Sequence, residues 1–388
     1  MIHPVIRIWK SWQAGMKIVS WQYSMSTHQF YMWKALKSLS RDELLFVLEN
    51  SRDVQTKEVS LDELNSLGRI IYTGGFRWRD ILPILRQNLD AVHVFGGFRN
   101  VWYFFPLILY AIMHNVKVAV MNEPYSIYHA GYAEEEMGWR IGLKVSTRPL
   151  LYRLTAILIK IFVKKFQPCI LPISLLAREQ FLQAAFDPDA MYPFGYFVPR
   201  QSVKGVKPAW SRNGLRLVFV GSLLKTKGLD VAVEAIEKVH SDGFDISMYV
   251  FGSGPTDWFL PAASTCIHYK GSLLPNEVQS VMAQYDLLIL PSRHDGWGVV
   301  VNEALLQRVP VIVSDRVGAK CLIESSGAGL IFKSENTEDL TLKLKELIRQ
   351  PSRFEEMRRR AESVGDDISP EIGARYLLDV FFYHFYNE

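Results

Sequence analysis

Two acidic residues, Asp295 and Glu303, stand eight positions apart in the stretch of this chain whose residue types best suit chemistry. Asp295 lies in a glycine-bracketed loop, and an apolar VVV run leads from it into NEALLQR, which reads as the first turns of a helix. The apolar segments LLIL (287–290) and VPVIVSD (309–315) on either side predict buried parallel strands. Because a glycine-rich loop between such a strand and a helix receives anionic and sugar-like ligands in α/β sheets, the pattern predicts a ligand site.

Three other short motifs precede this one in the second half of the chain. They are VGSLLKTKG (220–228), FGSGP (251–255) and KGSLLPNEVQSVMAQYDLLILPS (270–292). Together with the paired acids, their order and spacing over residues 214–333 resemble retaining glycosyltransferase family 4, which has the two-domain GT-B fold. The resemblance implies an enzyme that transfers a sugar from a nucleoside diphosphate sugar and needs no metal ion or other cofactor.

The resemblance also implies a role for each residue of the site. Glu303 falls on the acid that accepts hydrogen bonds from the ribose hydroxyls, for which a carboxylate has two acceptor oxygens. Asp295 stands where the family's first glutamate contacts the transferred sugar, and Lys227 falls on the phosphate-binding lysine. The alternatives are a helix-start acid for Glu303 and a turn-forming Asp-Gly for Asp295. The other implied donor-binding residues are Gly221, Ser222, Gly252, Gly254, Arg293, Gly296, Trp297 and Gly298.

The chain departs from the family pattern at several of these positions. Ser222 replaces an arginine that usually follows the first glycine, which weakens the expected cationic clamp on the diphosphate. Arg293 is a candidate to supply that charge, and an ordinary surface arginine is the alternative. Asp295 is one methylene shorter than glutamate, and Trp297 either packs on the sugar or anchors the loop. These departures keep open a catalytically inactive nucleotide-sugar-binding subunit, and the fold also serves nucleotide-sugar epimerases.

Composition places the chain among ordinary globular proteins. Its 388 residues exceed what one core usually supports, so two domains are expected. A formal net charge of +4 gives no argument for nucleic-acid binding. The nine histidines show no zinc-ligand spacing, and Asp187 and Asp189, which flank a proline, are more typical of a turn than of a metal site. The sequence therefore predicts no metal site.

Short apolar segments alternate with amphipathic helices through both halves, which predicts two doubly wound α/β domains facing a cleft. We expect an acceptor-binding domain over 1–198, a linker over 199–213, a nucleotide-sugar-binding domain over 214–367 and a helix over 368–388 that crosses back to the N-terminal domain. In the N-terminal half, WRDILPILRQNL (78–89) predicts a helix interrupted at Pro83, and MYPFGYFV (191–198) predicts a strand.

The N-terminal half carries a less specific prediction of an acceptor site. His28 lies in the region where the family usually has a glycine-rich loop, and a plain helix start is the alternative for it. Glu123 follows a predicted strand in NEPYSIYH (122–129) and offers a carboxylate at the sheet edge. The resemblance implies a glycan or a lipid-linked saccharide as the acceptor.

Three features bear on location. The N-terminus lacks the apolar region of a cleavable signal sequence, so a cytoplasmic protein is expected. The longest apolar run, 101–113, falls short of the ~20 residues that a membrane span needs. Residues 144–165 contain six basic and no acidic residues around the apolar LTAILIKIFV, which predicts either peripheral binding to an anionic membrane surface or an ordinary domain-packing helix.

Overall fold

The computed structural model describes residues 15–39, 43–49, 61–75, 77–98, 104–126, 139–203, 214–260 and 264–386. These residues divide into two compact units. The N-terminal unit comprises the described residues of Ile2–Tyr125, Thr147–Phe197 and Pro370–Glu388. The C-terminal unit comprises those of Ser126–Ser146 and Val198–Ser369. Each unit is built on one six-stranded sheet, which confirms the predicted class of two doubly wound α/β sheets.

The sheet of the N-terminal unit is parallel throughout. Its strands are β1 (Lys17–Gln22), β2 (Glu43–Leu48), β3 (Arg69–Tyr72), β4 (Val92–Phe95), β5 (Lys117–Asn122) and β6 (Cys169–Pro172). Its helices are α1 (Thr27–Leu39), α2 (Leu61–Leu67), α3 (Trp78–Arg86), α4 (Phe104–Met113), α5 (Trp139–Phe162, of which the residues from Thr147 on belong to this unit), α6 (Leu175–Gln183) and, from the end of the chain, α13 (Pro370–Tyr386). The strand order β3-β2-β1-β4-β5-β6 reverses direction between β1 and β4.

The last helix, α13, packs against α1 within the N-terminal unit. Leu377 and Phe381 on α13 are fully buried. The imidazole Nδ1 of His384 lies 3.1 Å from the hydroxyl of Tyr192, and the Tyr376 ring stacks on Phe194 at 6.0 Å between centroids. Aromatic side chains thus fasten the end of the chain to the segment that follows α6.

A buried histidine stabilises the centre of this sheet. The indole N–H of Trp21 on β1 donates to Nδ1 of His93 on β4 at 3.0 Å, and the Trp21 ring stacks on Phe95 at 5.7 Å. Nε2 of His93 then donates to the carbonyl of Asn88 at 2.8 Å, which fixes a neutral imidazole. Complete burial lowers the pKa of His93 to about 4.

The C-terminal unit repeats the same design. Its strands are β7 (Leu215–Val220), β8 (Ile246–Phe251), β9 (Ile267–Tyr269), β10 (Leu287–Leu290), β11 (Val311–Ser314) and β12 (Gly329–Phe332). Its helices are α7 (Leu229–Ser241), α8 (Val278–Met282), α9 (Val299–Leu306), α10 (Lys320–Ser326), α11 (Thr337–Arg349) and α12 (Pro351–Asp367). The order β12-β11-β10-β7-β8-β9 reverses between β7 and β10, and parallel pairing brings the carboxyl ends of these two strands side by side.

The loops that follow β7 and β10 touch at Gly228. This glycine has φ 67°, in the left-handed region, and it links a 3-10 turn (Lys225–Lys227) to the start of α7. A Cβ added there would lie 2.2 Å from the carbonyl oxygen of Pro291 in the loop after β10. Because any side chain would force the loops apart, glycine is required for this approach.

Three local predictions are wrong. Residues 191–198 form no strand, only isolated bridges from Met191 to Ile170 and from Phe194 to Ile173, because Pro193 between them has no N–H to continue a ladder. Helix α3 continues through Pro83, since burial of its apolar side outweighs one lost hydrogen bond. Helix α9 begins at Val299, so the VVV run belongs to the helix and Glu303 lies in its second turn.

Parts of other predictions fall outside the described residues. They are 204–213 of the expected linker, 101–103 of the longest apolar run and 127–129 of the segment after β5.

The neutral His93 predicts a pH dependence of stability. Its pKa of about 4 in the folded protein lies below the ordinary 6.5, so the unfolded chain binds more protons between these values. The free energy of unfolding should therefore fall as pH falls from 6.5 toward 4, by up to ~3 kcal/mol. Denaturant unfolding at a series of pH values measures it. His93→Gln should remove its share of the dependence and leave that of His28, whose pKa burial also lowers to about 4. The exposed control His114→Gln should keep the full dependence, and equal slopes in both variants would contradict this role.

The contact at Gly228 gives a second prediction with a matched control. Gly243 also has a positive φ, 87°, but a Cβ there would meet no atom within 4 Å. Gly243→Ala should cost only the left-handed backbone strain, ~1 kcal/mol, whereas Gly228→Ala should lose at least ~2 kcal/mol more because the loops must separate. Denaturant unfolding of both variants measures the difference. Equal losses would show that the approach of the two loops tolerates a side chain.

Candidate functional site

The predicted donor residues gather at the switch point of the C-terminal sheet. The loop after β7 carries Gly221, Ser222 and Lys227, and the loop after β10 carries Arg293 and Asp295. Ligands of doubly wound sheets bind outside the carboxyl ends of the strands at such a point, because the loops diverge there and leave a crevice. The fold thus brings together residues that are far apart in the sequence.

Lys227 and Asp295 form the central contact of this site. The ammonium Nζ of Lys227 donates to Oδ2 of Asp295 at 2.7 Å. The Lys227 side chain is 23% exposed and the Asp295 side chain 13%, so both remain reachable while the pair is partly shielded from water. A cation and a carboxylate therefore face one another where a ligand would bind.

The backbone around Asp295 is fixed by the segment that follows β11. Its N–H donates to the carbonyl of Arg316 at 3.2 Å, and its own carbonyl accepts from the N–H of Gly318 at 3.1 Å. Gly298, three residues after Asp295, has φ 88° and is the N-cap of α9. The Asp295 carboxylate is thus held on a rigid loop, which is the property that a ligand-orienting group needs.

Arg293 is buried and is engaged by the chain itself. Its guanidinium donates to both carboxylate oxygens of Asp230, at 2.8 and 2.7 Å, and to Glu335 at 3.0 Å. It also donates to the carbonyl of Lys225 at 2.7 Å. Burial opposes its charge, but the hydrogen bonds and charges of Asp230 and Glu335 together hold the pKa of Arg293 above its ordinary value.

Arg293 is therefore not an ordinary surface arginine, since only 9% of its side chain is exposed. It ties the loop after β10 to the loop after β7 and to the first turn of α7, where Asp230 lies. Its predicted contact with the donor stays a prediction. Sequence reasoning missed Asp230 and Glu335, and an acid two residues after Gly228 in the first turn of a helix was the one signal for Asp230.

Trp297 anchors its loop. Only 4% of the residue is exposed, and its indole N–H donates to Oδ1 of Asn302 on α9 at 2.7 Å. Its carbonyl accepts from the N–H of Ala319 at 2.7 Å. Of the two interpretations of Trp297, the geometry matches the loop anchor, and its neighbour Gly296 lies between it and Asp295.

Glu303 lies in the second turn of α9 and is half-buried, while Asn302 and Ala304 beside it are buried. The helix begins directly after the loop that carries Asp295, so the end of this loop and the first turn of α9 set the spacing of the two acids. Glu303 is thus the accessible acid of an otherwise buried stretch, as a ligand-binding carboxylate must be.

The glycine turn after β8 packs against the loop after β7. The N–H of Gly221 donates to the carbonyl of Phe251 at 3.0 Å, and a Cβ on Gly252 would lie 1.8 Å from the carbonyl oxygen of Gly221. A Cβ on Gly254 would lie 3.0 Å from Leu223. These glycines permit close packing between the two loops, and Ser222 lies exposed above them.

The N-terminal unit brings the two predicted acceptor residues together through a third. The hydroxyl of Tyr196 donates to Oε1 of Glu123 at 2.5 Å, and the centroids of the His28 and Tyr196 rings lie 3.9 Å apart. Ser26 Oγ lies 3.0 Å from Nε2 of His28. Burial raises the pKa of Tyr196, as do the charge and hydrogen bond of Glu123, and burial lowers the pKa of His28.

This cluster of His28, Glu123 and Tyr196 lies at the carboxyl edge of its sheet. His28 follows β1, next to the switch point, and Glu123 follows β5. Sequence reasoning missed Tyr196 because it lies in the segment that was predicted to be a strand. In that segment the backbone makes only isolated bridges, so the tyrosine side chain is not committed to a sheet face.

Two kinds of feature are absent from the described residues. Among them, no group of three or more His, Cys, Asp or Glu side chains is placed to hold a metal ion. No helix in the part of the chain that the structure describes has the length and apolarity to cross a membrane.

Comparison with known proteins agrees with this geometry. Residues 214–350 match the family of glycosyl transferases group 1. A putative teichuronic acid biosynthesis glycosyltransferase of Bacillus subtilis is 30% identical over 165 residues, which cover 41% of this chain and 38% of that protein. An alpha-D-kanosaminyltransferase of Streptomyces kanamyceticus is 25% identical over 171 residues, or 42% of each chain. The chain thus spans about two fifths of the length of these relatives.

Solved structures match over nearly the whole chain. A glycosyltransferase from Rickettsia africae has a TM-score of 0.68 at 14% identity and covers 96% of this chain and 100% of its own. HepE of Anabaena, solved with UDP, has a TM-score of 0.70 at 12% identity over 95% of this chain and 100% of its own. At such identities the likeness shows the fold. The chain therefore has the GT-B fold, and its residues 214–350 match the family of glycosyl transferases group 1.

Proposed function

We propose that this chain is a retaining glycosyltransferase, which moves a sugar from a nucleoside diphosphate sugar to a glycan or a lipid-linked saccharide. The observation that carries the proposal is the contact of Lys227 with Asp295. A cation suited to a diphosphate and a carboxylate suited to sugar hydroxyls lie 2.7 Å apart where a doubly wound sheet binds its ligands. Both residues fall within the segment that matches the group 1 family.

The loop after β7 would receive the diphosphate. Breaking the bond between the anomeric carbon and the diphosphate oxygen leaves negative charge on that oxygen, which Lys227 can stabilise. Helix α7 begins directly after this loop, at Leu229, and the positive end of its dipole favours an anion there. The ammonium would then exchange the Asp295 carboxylate for phosphate oxygens.

Asp295 would turn to the sugar when the diphosphate binds Lys227. An ionised carboxylate only accepts hydrogen bonds, and sugar hydroxyls donate them. Because aspartate is one methylene shorter than glutamate, the sugar would lie closer to the loop backbone between Asp295 and Gly298. The two carboxylate oxygens of Glu303 would accept hydrogen bonds from the two ribose hydroxyls.

Retention would require no protein nucleophile and no metal ion. The acceptor oxygen would form its bond to the anomeric carbon on the face from which the diphosphate departs, and the acceptor's hydroxyl proton would pass to the departing diphosphate. Lys227 would offset the charge of the leaving group in the course of this exchange. The proposed location of the reaction is the cytoplasm.

The acceptor would bind the N-terminal unit at His28, Glu123 and Tyr196. Glu123 is exposed and its carboxylate is oriented by the Tyr196 hydroxyl, so its outer oxygen can accept from a saccharide hydroxyl. The lowered pKa of His28 keeps its imidazole neutral near pH 7, which suits binding of an uncharged sugar.

The relatives support the donor class and the kind of product. HepE holds UDP in a solved structure with this fold, and the relatives named above include a putative teichuronic acid biosynthesis glycosyltransferase. The departures at Ser222 and Asp295 favour one competing function, a nucleotide-binding subunit without turnover. A nucleotide-sugar epimerase, the other alternative, would form product without an acceptor.

A thermal-shift panel of UDP, GDP, ADP and CMP, with and without EDTA, tests the donor site. One diphosphate at about a hundred times its dissociation constant should stabilise the wild type by ~2.7 kcal/mol. Glu303→Ala should abolish the shift because the ribose loses its acceptor, and EDTA should change nothing.

Glu338→Ala is the matched control, since Glu338 is an exposed acid on α11 in the same unit. It should keep the full shift. A panel without any shift, or an equal loss in both variants, would contradict the donor site. Nucleotide binding without acceptor-dependent transfer would instead identify the inactive subunit.

A further inference from the structure

Helix α5 presents an apolar stripe to solvent. Leu150, Leu154, Ile157 and Ile161 are 59%, 44%, 52% and 65% exposed. Their spacing of four, three and four residues places them on one side of the helix. A continuous row of four large aliphatic side chains in water is uncommon on a soluble surface and marks a contact site.

The stripe is not needed for the core. The opposite side of α5 is buried and carries Tyr152, Thr155, Ala156 and Ile159, three of which belong to the core cluster of the N-terminal unit. One side of the helix therefore anchors it in the core, and the exposed stripe on the other side can bind another molecule or surface without any change in the fold.

Basic residues border the stripe. Arg153 and Lys160, seven residues apart, are exposed along one side of it, and Lys164 and Lys165 follow the end of the helix. No acidic residue occurs between 144 and 165. The surface is thus both apolar and positively charged.

We propose that the face of α5 formed by Leu150, Leu154, Ile157 and Ile161 with Arg153 and Lys160 binds an anionic lipid surface. The aliphatic side chains would enter the boundary between headgroups and acyl chains, and the cations would contact anionic headgroups. A second copy of this chain fits less well, because a shared stripe would bring like charges together. This inference uses none of the donor-site residues.

Flotation of the full chain with phosphatidylcholine vesicles, with and without phosphatidylglycerol, tests the proposal. The wild type should float with the anionic vesicles and not with the neutral ones, and added salt should release it. Arg153→Gln/Lys160→Gln should weaken binding about fivefold for each cation removed. Ile157→Gln/Ile161→Gln should weaken it further because the apolar insertion is lost.

Two controls separate this surface from general effects of charge and apolarity. Leu342→Gln removes a 60% exposed leucine from α11, and Arg79→Gln removes a 72% exposed cation from α3. Both should float like the wild type. All the substituted side chains are exposed, so thermal unfolding and the nucleotide shift should stay unchanged. The proposal is overturned if the wild-type protein stays in the soluble fraction, which is the result expected if the surface binds an acidic protein instead of lipid. It is also overturned if the control variants lose as much vesicle binding as the α5 variants.

Discussion

The contact between Lys227 and Asp295 depends on the reversal of strand order between β7 and β10. Because two neighbouring strands send their loops in opposite directions, the residues at the ends of these loops meet although 68 positions separate them. The pair satisfies a partly buried ammonium when no anion is present, and it keeps the carboxylate in place for a sugar. This one contact thus holds a cation for the diphosphate and a carboxylate for the sugar, which are the two groups joined by the bond that the proposed reaction breaks.

Other features of the C-terminal unit hold this pair in place. Arg293 bonds the two loops through Asp230 and the carbonyl of Lys225, and Gly228 lets them touch. Since the guanidinium of Arg293 is occupied in this way, Lys227 is the cation that the loops hold against the site carboxylate. Ser222 stands where the family that the chain resembles usually has arginine, so the proposed transfer depends more strongly on that one lysine.

Sequence predicted these strands well because buried parallel strands are continuous apolar runs: LLIL became β10 without change, and β11 lies within VPVIVSD. The motifs singled out Lys227, Asp295 and Glu303 as site residues. They did not predict the contact between Lys227 and Asp295, because that contact is set by the strand order and not by a local sequence pattern. The VVV run joined α9 because the left-handed Gly298 starts the helix early and Val301 is buried. Tyr196 was missed because Pro193 breaks an otherwise strand-like segment.

The most direct test of this account is a double-mutant cycle on Lys227 and Asp295, read as affinity for the nucleoside diphosphate that stabilises the wild type most. Asp295→Asn should tighten binding about tenfold, because the phosphate no longer competes with a carboxylate for the ammonium. Lys227→Met should weaken binding, and in that background Asp295→Asn should change little. Weaker binding by Asp295→Asn, or the same gain with and without Lys227, would contradict the exchange of partners.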